Sequence, residues 1–207
     1  MLVANTGTLL NNEQYARSLG ISGPTVKRYL DFLEGAFLIR RLQPWLANVQ
    51  KRIVRSAKIY VRDTGIVHAV CGIASPAELP GNVIIGGSRE SYVVEEVIRH
   101  LPKKLRAFYY RTQHGAEADL VLVKGIRPVA CIEIEYSKAP VPASGFYQCI
   151  KDLKTKHNYL IYAGKEGYQN REGVQFTSLE EMLQVYYLFL INTCYRVKLK
   201  FNFEFTR

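Results

Sequence analysis

The chain has 207 residues, 48% of them apolar and 22% charged, and a net charge of +10, the composition of an ordinary globular protein of one large or two small domains with a real core. Cys71, Cys131, Cys149 and Cys194 form no CxxC pair and His68, His100, His114 and His157 have no ligand-like spacing with them; these patterns exclude a disulfide framework and a zinc cluster. The lack of an apolar run of about 18 residues excludes a membrane span, so the expectation is a soluble cytoplasmic chain with no membrane partner.

Residues 12–20, NEQYARSLG, predict a short helix closed by Gly20, with Tyr15, Ala16 and Leu19 on its apolar side. Ser22 is the expected N-cap of a second helix with Pro24 in its first turn. Val26, Leu30, Leu33 and Phe37 make its apolar stripe and leave Thr25, Lys27, Arg28 and Asp31 off it. A strand over 37–42, a polar turn holding Lys51, Arg52 and Arg55, and a return strand over 58–61 complete the pattern of a winged helix-turn-helix. Trp45, where the first strand ends, reads as a packing residue. Residues 1–62 carry ten basic and three acidic side chains, a net +7 that suits a polyanion. Thr25, Lys27 and Arg28 on the helix, with Lys51, Arg52 and Arg55 on the wing, are the candidate contacts to duplex DNA. The competing reading is a plain helical hairpin whose basic residues are merely solvated.

Residues 63–187 carry fourteen basic and fourteen acidic side chains and predict a second domain. Asp63 caps a short helix to about Val70, 74–88 is a loop, and 89–101 is a helix with Tyr92, Val93, Val97 and Leu101 inward. A strand over 107–111 leads into the run from Gly115 to Lys138, two strands joined by a turn at Lys124 and Gly125. A helix over 146–153, a strand over 159–162 and a helix capped by Ser178 follow. The fold class is α+β, a central mixed sheet flanked by helices behind the N-terminal winged helix. In the tail, 188–207, Tyr195, Val197, Leu199, Phe201, Phe203 and Phe205 alternate with polar residues, an amphipathic strand expected to pair with a sheet edge or with a second copy in a homo-oligomer.

The Gly115–Lys138 run is apolar on both faces, which argues a covered central hairpin and makes Glu117, Asp119, Glu133 and Glu135 stand out. Carboxylates in such strands must be paired, hydrogen-bonded or bound to metal. Residues two apart share a face, so Glu117 with Asp119 and Glu133 with Glu135 can converge. The bland alternative is a sheet rim with solvated acids.

This arrangement resembles the core of the PD-(D/E)XK nucleases. The resemblance implies that Asp119 and Glu133 hold Mg²⁺, with Glu95 or Glu96 on the preceding helix as an outer ligand. The lysine of the E-x-K element is replaced by Glu135, and Lys138 stands three residues further on. Asp119, Glu133, Glu135 and Lys138 are therefore the candidate catalytic residues of a Mg²⁺-dependent nuclease weakened or silenced by that departure.

A wider resemblance rests on Gly7-Thr8-Leu9-Leu10-Asn11, Leu19-Gly20-Ile21-Ser22, Thr25-Val26, Tyr29-Leu30, Leu33-Glu34, Lys58-Ile59-Tyr60, Asp63-Thr64-Gly65, Gly87 with Glu90, and the GAEADLVL and IEI segments. Together they are similar to the C-terminal domain of unknown function that follows the ATPase module of prokaryotic AAA-type ATPases. The resemblance implies a winged helix followed by a restriction-endonuclease-like domain. No G-x-x-x-x-G-K-[ST] run is present, so no ATP site is expected in these residues, and the chain reads as a fragment or the product of a broken gene. Two functions compete: a DNA-binding, nuclease-like part of an ATPase, and a non-catalytic interaction or self-association module on a degenerate nuclease scaffold.

Overall fold

Most local signals near the N-terminus act as the sequence predicts; Leu19, expected on the apolar side of the first helix, is instead exposed at that helix's last position, where the chain turns away at Gly20. The structure, a computed structural model, describes residues 1–46 and 52–186, so Lys51 and the tail over 188–207 lie outside the described residues. After β1 (Thr8–Leu9), the Asn11 side chain accepts a hydrogen bond from the Gln14 N–H and starts α1 (Asn12–Leu19). Gly20 ends that helix with φ 65°, a left-handed conformation that glycine adopts without a Cβ clash. Ser22 accepts from the Thr25 N–H and starts α2 (Gly23–Gly35), with Pro24 in the first turn. Val26 and Leu30 are buried with Tyr15, Ile39 and Ile59, and Leu33 packs against them.

Phe37 departs from the expected stripe. Its helix stops at Gly35, Phe37 itself takes φ 60°, and its ring is 73% exposed. The Leu38 N–H reaches back to the Leu33 carbonyl, so the chain turns before Phe37 can join the buried face. β2 (Ile39–Leu42) and β3 (Lys58–Val61) follow, and β3 lies between β1 and β2 in an antiparallel three-stranded sheet, order β1-β3-β2.

Asp63 caps α3 (Thr64–Val70), as its spacing predicts. α4 runs over Ile85–Arg99 and so starts four residues before the predicted helix. Gly86 and Gly87 argue against a helix locally. Here Gly87 is selected by contact, because a Cβ at this position would stand 2.4 Å from the Thr6 carbonyl oxygen. The buried face of α4 is Ser88, Ser91, Val93, Val94, Glu95 and Val97, while Tyr92, expected inside, is 46% exposed.

The six-stranded sheet has the order β4-β5-β6-β7-β9-β8. β4 (Leu105–Arg111), β5 (Glu117–Lys124) and β6 (Arg127–Ile134) are antiparallel neighbours. α5 (Ser144–Leu153) crosses over to β7 (His157–Ile161), which runs parallel to β6. β8 (Tyr168–Gln169) and β9 (Gln175–Thr177), which the sequence pattern did not single out, complete the sheet before α6 (Leu179–Glu181), capped by Ser178. Both faces of the hairpin are covered. Leu120, Leu122 and Ile132 join Val93, Val97 and Tyr109 in one core, and Val121, Val123 and Cys131 join Phe146 and Cys149 in another. The fold is therefore mixed α and β.

The two sheets are tied together. The stretch that follows β2 and the one that leads into β3 both bond to β4 and the turn after it: the Trp45 N–H donates to the Tyr109 carbonyl, the Val54 N–H to the Arg111 carbonyl, and the Gln113 N–H to the Arg52 carbonyl. Trp45 packs on Phe108 with ring centroids 5.0 Å apart, in keeping with its expected packing role. The buried hydroxyls of Thr6 and Ser91 share a hydrogen bond, 2.6 Å, at the crossing of the N-terminal segment and α4.

Candidate functional site

The joint between the sheets gathers charge. Lys58 opens β3, and its side chain is only 3% exposed. Its ammonium meets Glu90 from α4 at 2.8 Å, Glu117 from β5 at 2.6 Å and Asp119 from β5 at 3.0 Å. An ammonium has three protons, and three carboxylates stand within reach. Each acid is held a second time. Glu90 accepts from the Tyr60 hydroxyl at 2.6 Å, Glu117 pairs with Arg111 at 2.8 Å, and Asp119 accepts from the Ile134 N–H at 3.0 Å.

Glu133, on the adjoining strand, lines the same cleft as Lys58, Glu90, Glu117, Asp119 and Glu135, one of about 840 Å³ closed on one side by Ala143 to Phe146 at the start of α5. Asp119 and Glu133 thus converge as the hairpin predicts, and Glu117 and Glu135 face the same cleft. Crowding shows in their titration. Burial raises Glu133 to about 8, with Asp119, Glu135 and Glu117 adding repulsion. Burial, then Asp119, raises Glu90 to about 7 against the pull of Lys58. Glu135 is raised by burial and by Asp119. For Lys58, burial favours the neutral amine, yet Asp119, Tyr60, Glu90 and Glu117 outweigh it and hold the ammonium well above its ordinary range. The Glu133 Oε2 atom is buried with no hydrogen-bond partner.

The structure separates the remaining candidates. Glu95 does not reach the cleft. It accepts from Arg40 and, at 2.9 Å, from Arg62, on the side of α4 facing β2 and β3. Glu90, five residues earlier, takes the place expected for Glu95. Lys138 is exposed beyond the end of β6 and does not line the cleft. The buried cation in the cluster is Lys58, which sequence spacing does not connect to Asp119, 61 positions away. The weak signal was a lysine heading an apolar strand, together with the Lys58-Ile59-Tyr60 and Gly87–Glu90 elements of the wider resemblance.

These residues do not fit a Mg²⁺ ion between Asp119 and Glu133 as they stand. Both Asp119 oxygens are engaged, one by Lys58 and one by Ile134, and a hard ion would need oxygens at about 2.0–2.1 Å where an ammonium already sits. Among the described residues, no group of three or more His, Cys, Asp or Glu side chains has metal-binding geometry.

The candidate DNA residues among the described ones lie on α2 and on the stretch that leads into β3. Thr25 shares a hydrogen bond with Ser22, 2.8 Å, at the start of α2. Lys27 and Arg28 are exposed, beside Tyr29 at 60% and Phe32 at 70% exposure. Arg52 lines a second hollow with Thr112, His114 and Asp152, and Arg55 is exposed on the stretch that leads into β3.

Comparison with known proteins finds uncharacterized relatives of this sequence. Residues 1–77 match one domain of unknown function (DUF8612), and residues 85–182 match another (DUF4143), a domain often seen in proteins associated with AAA-type ATPases. The chain is similar to uncharacterized proteins of Mycobacterium tuberculosis and Mycobacterium bovis, 35% identical to each over 184 residues, or 88% of this chain. It spans 41% of the length of those curated relatives. No solved structure matches. Among the described residues, no helix is long and apolar enough to cross a membrane.

Proposed function

We propose that this chain is a non-catalytic binding portion of an AAA-type ATPase, a winged helix joined to a nuclease-like domain that no longer cuts. The observation that carries the reading is Lys58, whose ammonium occupies the carboxylate cluster with its three donors directed at three acids. A lysine so held and so firmly protonated is neither a base nor a free donor for an attacking water. The E-x-K lysine position is Glu135, and Lys138 stands outside the cleft. The β1-β3-β2 sheet behind α1 and α2 supports the winged helix. The order α4, antiparallel β4-β5-β6, α5, parallel β7 supports the nuclease-like scaffold.

The binding face of this reading is α2 and the turn after it. Tyr29, Phe32 and Phe37 are exposed by 60%, 70% and 73%, and large exposed apolar patches mark protein contacts. Duplex DNA is the second reading, favoured by the net +7 of residues 1–62 and by exposed Lys27 and Arg28. Supercoiled plasmid incubated with the chain in Mg²⁺ or Mn²⁺ tests the first statement: no nicking above an EDTA control is expected, and metal-dependent nicking by wild type overturns it. Fluorescence anisotropy of a labelled duplex across a salt series separates the partners. Contacts to about five phosphates give a log–log slope of roughly −4 to −5. Absence of binding at low salt leaves the protein-contact reading.

A further inference from the structure

We propose that the end of the second sheet remote from the cleft is a docking site for an acidic peptide segment with an apolar anchor, held by Lys124, Arg127, Lys154 and Lys156 around an apolar floor. This surface is separate from the α2 face. β5 runs from Glu117 in the cleft to Lys124 at the hairpin turn, a span of roughly 23 Å at the usual strand rise, so the two ends of one strand carry opposite charge. At the far end the Gly125-Ile126 turn, the start of β6 and the link from α5 to β7 enclose a hollow of about 740 Å³, the size of a ligand site. Lys124, Arg127, Lys154 and Lys156 are exposed on its rim, and no Asp or Glu lines it. Among the described residues, none of these four cations is in an ion pair. A fifth cation stands beside the turn, where the Arg106 guanidinium donates to the Gly125 carbonyl at 3.5 Å.

Two local features place cations here at a cost to the fold. Lys124 and Arg127 close the hairpin directly opposite each other, where like charges are unfavourable. Lys154 ends α5 at φ 50°, a left-handed position that glycine takes more easily. Another residue would suit the backbone better at each position, and each puts a positive charge on the rim of the hollow. The floor sets the chemistry of the occupant. Pro128, Val129 and Leu153 form it, and Ile126, 89% exposed, stands at its edge. Apolar area inside a ring of cations is complementary to a chain segment that combines carboxylates with aliphatic side chains. A nucleic-acid strand instead stacks its bases on aromatic rings, and no Phe, Tyr or Trp lines the hollow.

The experiment is fluorescence anisotropy of the full chain with a fluorescein-labelled Glu-Glu-Leu-Glu-Glu-Leu-Glu-Glu peptide, the same peptide with Ser for Leu, and labelled oligo(dT). Wild type is expected to bind the Leu peptide at least ~10-fold more tightly than the Ser peptide, because the floor is apolar. Lys124→Glu/Lys156→Glu is expected to weaken binding of the Leu peptide at least ~10-fold. Lys165→Glu/Arg171→Glu, the same change of charge at exposed positions outside the hollow, is expected to leave it unchanged. Lys124→Glu alone puts an acid opposite Arg127 and is expected to raise the melting temperature, so lost binding is not lost folding. If the double reversal does not fold, Lys124→Gln/Lys156→Gln is measured in its place, with a loss of about 3-fold or more expected. The proposal is overturned by no binding of the Leu peptide at low salt, by equal affinity for the two peptides, or by equal loss in the two reversals. Tighter binding of oligo(dT), lost in Lys124→Glu/Lys156→Glu, also overturns it and makes the surface a nucleic-acid site.

Discussion

Two glutamates on one helix, Glu90 and Glu95, have opposite surroundings. Five residues at 3.6 per turn place them about 140° apart around the axis of α4, so they face different neighbours. Glu95 is one acid between two guanidiniums, Arg40 and Arg62, and these pull its carboxyl below the usual range although burial works against them. Glu90 is one of several acids sharing one ammonium, and burial with Asp119 pushes it up to about 7. The first is a satisfied structural ion pair. The second is an acid crowded by other acids around one buried ammonium, and that crowding is what separates it from a simple brace. An acid inside a helix does not announce which it is. The partner's sign and number decide.

Removing the central charge should break the Glu90 side of this comparison most severely. Lys58→Met leaves three acids around an apolar side chain, and loss of one member of a buried ionic group costs about 3–5 kcal/mol. Urea unfolding without divalent metal should show a loss of that order. Glu95→Gln should cost less, about 2 kcal/mol, because the two arginines it frees are each about a quarter exposed and water reaches them. A larger loss from Glu95→Gln than from Lys58→Met would reverse the ranking of the two sites.

Acidity sharpens the contrast, because the two glutamates shift in opposite directions. Glu90 and Glu133 bind protons more tightly folded than unfolded, at about 7 and about 8. The stability they contribute is full below the unfolded carboxylate value near 4.5 and is lost as pH rises through 7 and 8. Glu95, shifted down, contributes above about 4.5 and loses its contribution as pH falls further. Melting temperature should therefore fall from about pH 5 to pH 8, and Glu133→Gln should flatten the upper part of that fall. A curve unchanged by Glu133→Gln would mean that its carboxyl does not titrate in this window.

Much of the second sheet was legible in the sequence for a definite reason. Residues 120–123 and 130–132 are apolar on both faces and rich in β-formers, and a short turn leaves antiparallel neighbours as the natural pairing, with Leu120 opposite Ile132 next to Asp119 and Glu133. The caps Ser22, Asp63 and Ser178 were legible because each acts within three residues of itself. What was not legible depends on distant contacts. Gly87 looks like a loop residue until Thr6 is seen lying across it. Phe37 continues an apolar stripe until the helix ends under it. Lys58 looks like the exposed start of a strand, because its acids come from α4 and β5, 32 and 61 residues away. Choosing Glu95 over Glu90 as the outer ligand failed for the same reason: only the arginines of β2 and the end of β3 reveal which face of α4 is already neutralised.

The central claim, that the Lys58 ammonium is what holds the acids of the cleft together across the two sheets, is tested most directly by a double-mutant cycle. Lys58→Met, Asp119→Asn and the combined variant are unfolded in urea with EDTA present, and the coupling energy is taken from the four stabilities. A buried charge pair at 3.0 Å predicts a favourable coupling of about 1.5 kcal/mol or more, with the double variant more stable than Lys58→Met alone because it buries one uncompensated charge fewer. Additive losses, with coupling below about 0.5 kcal/mol, would contradict the account.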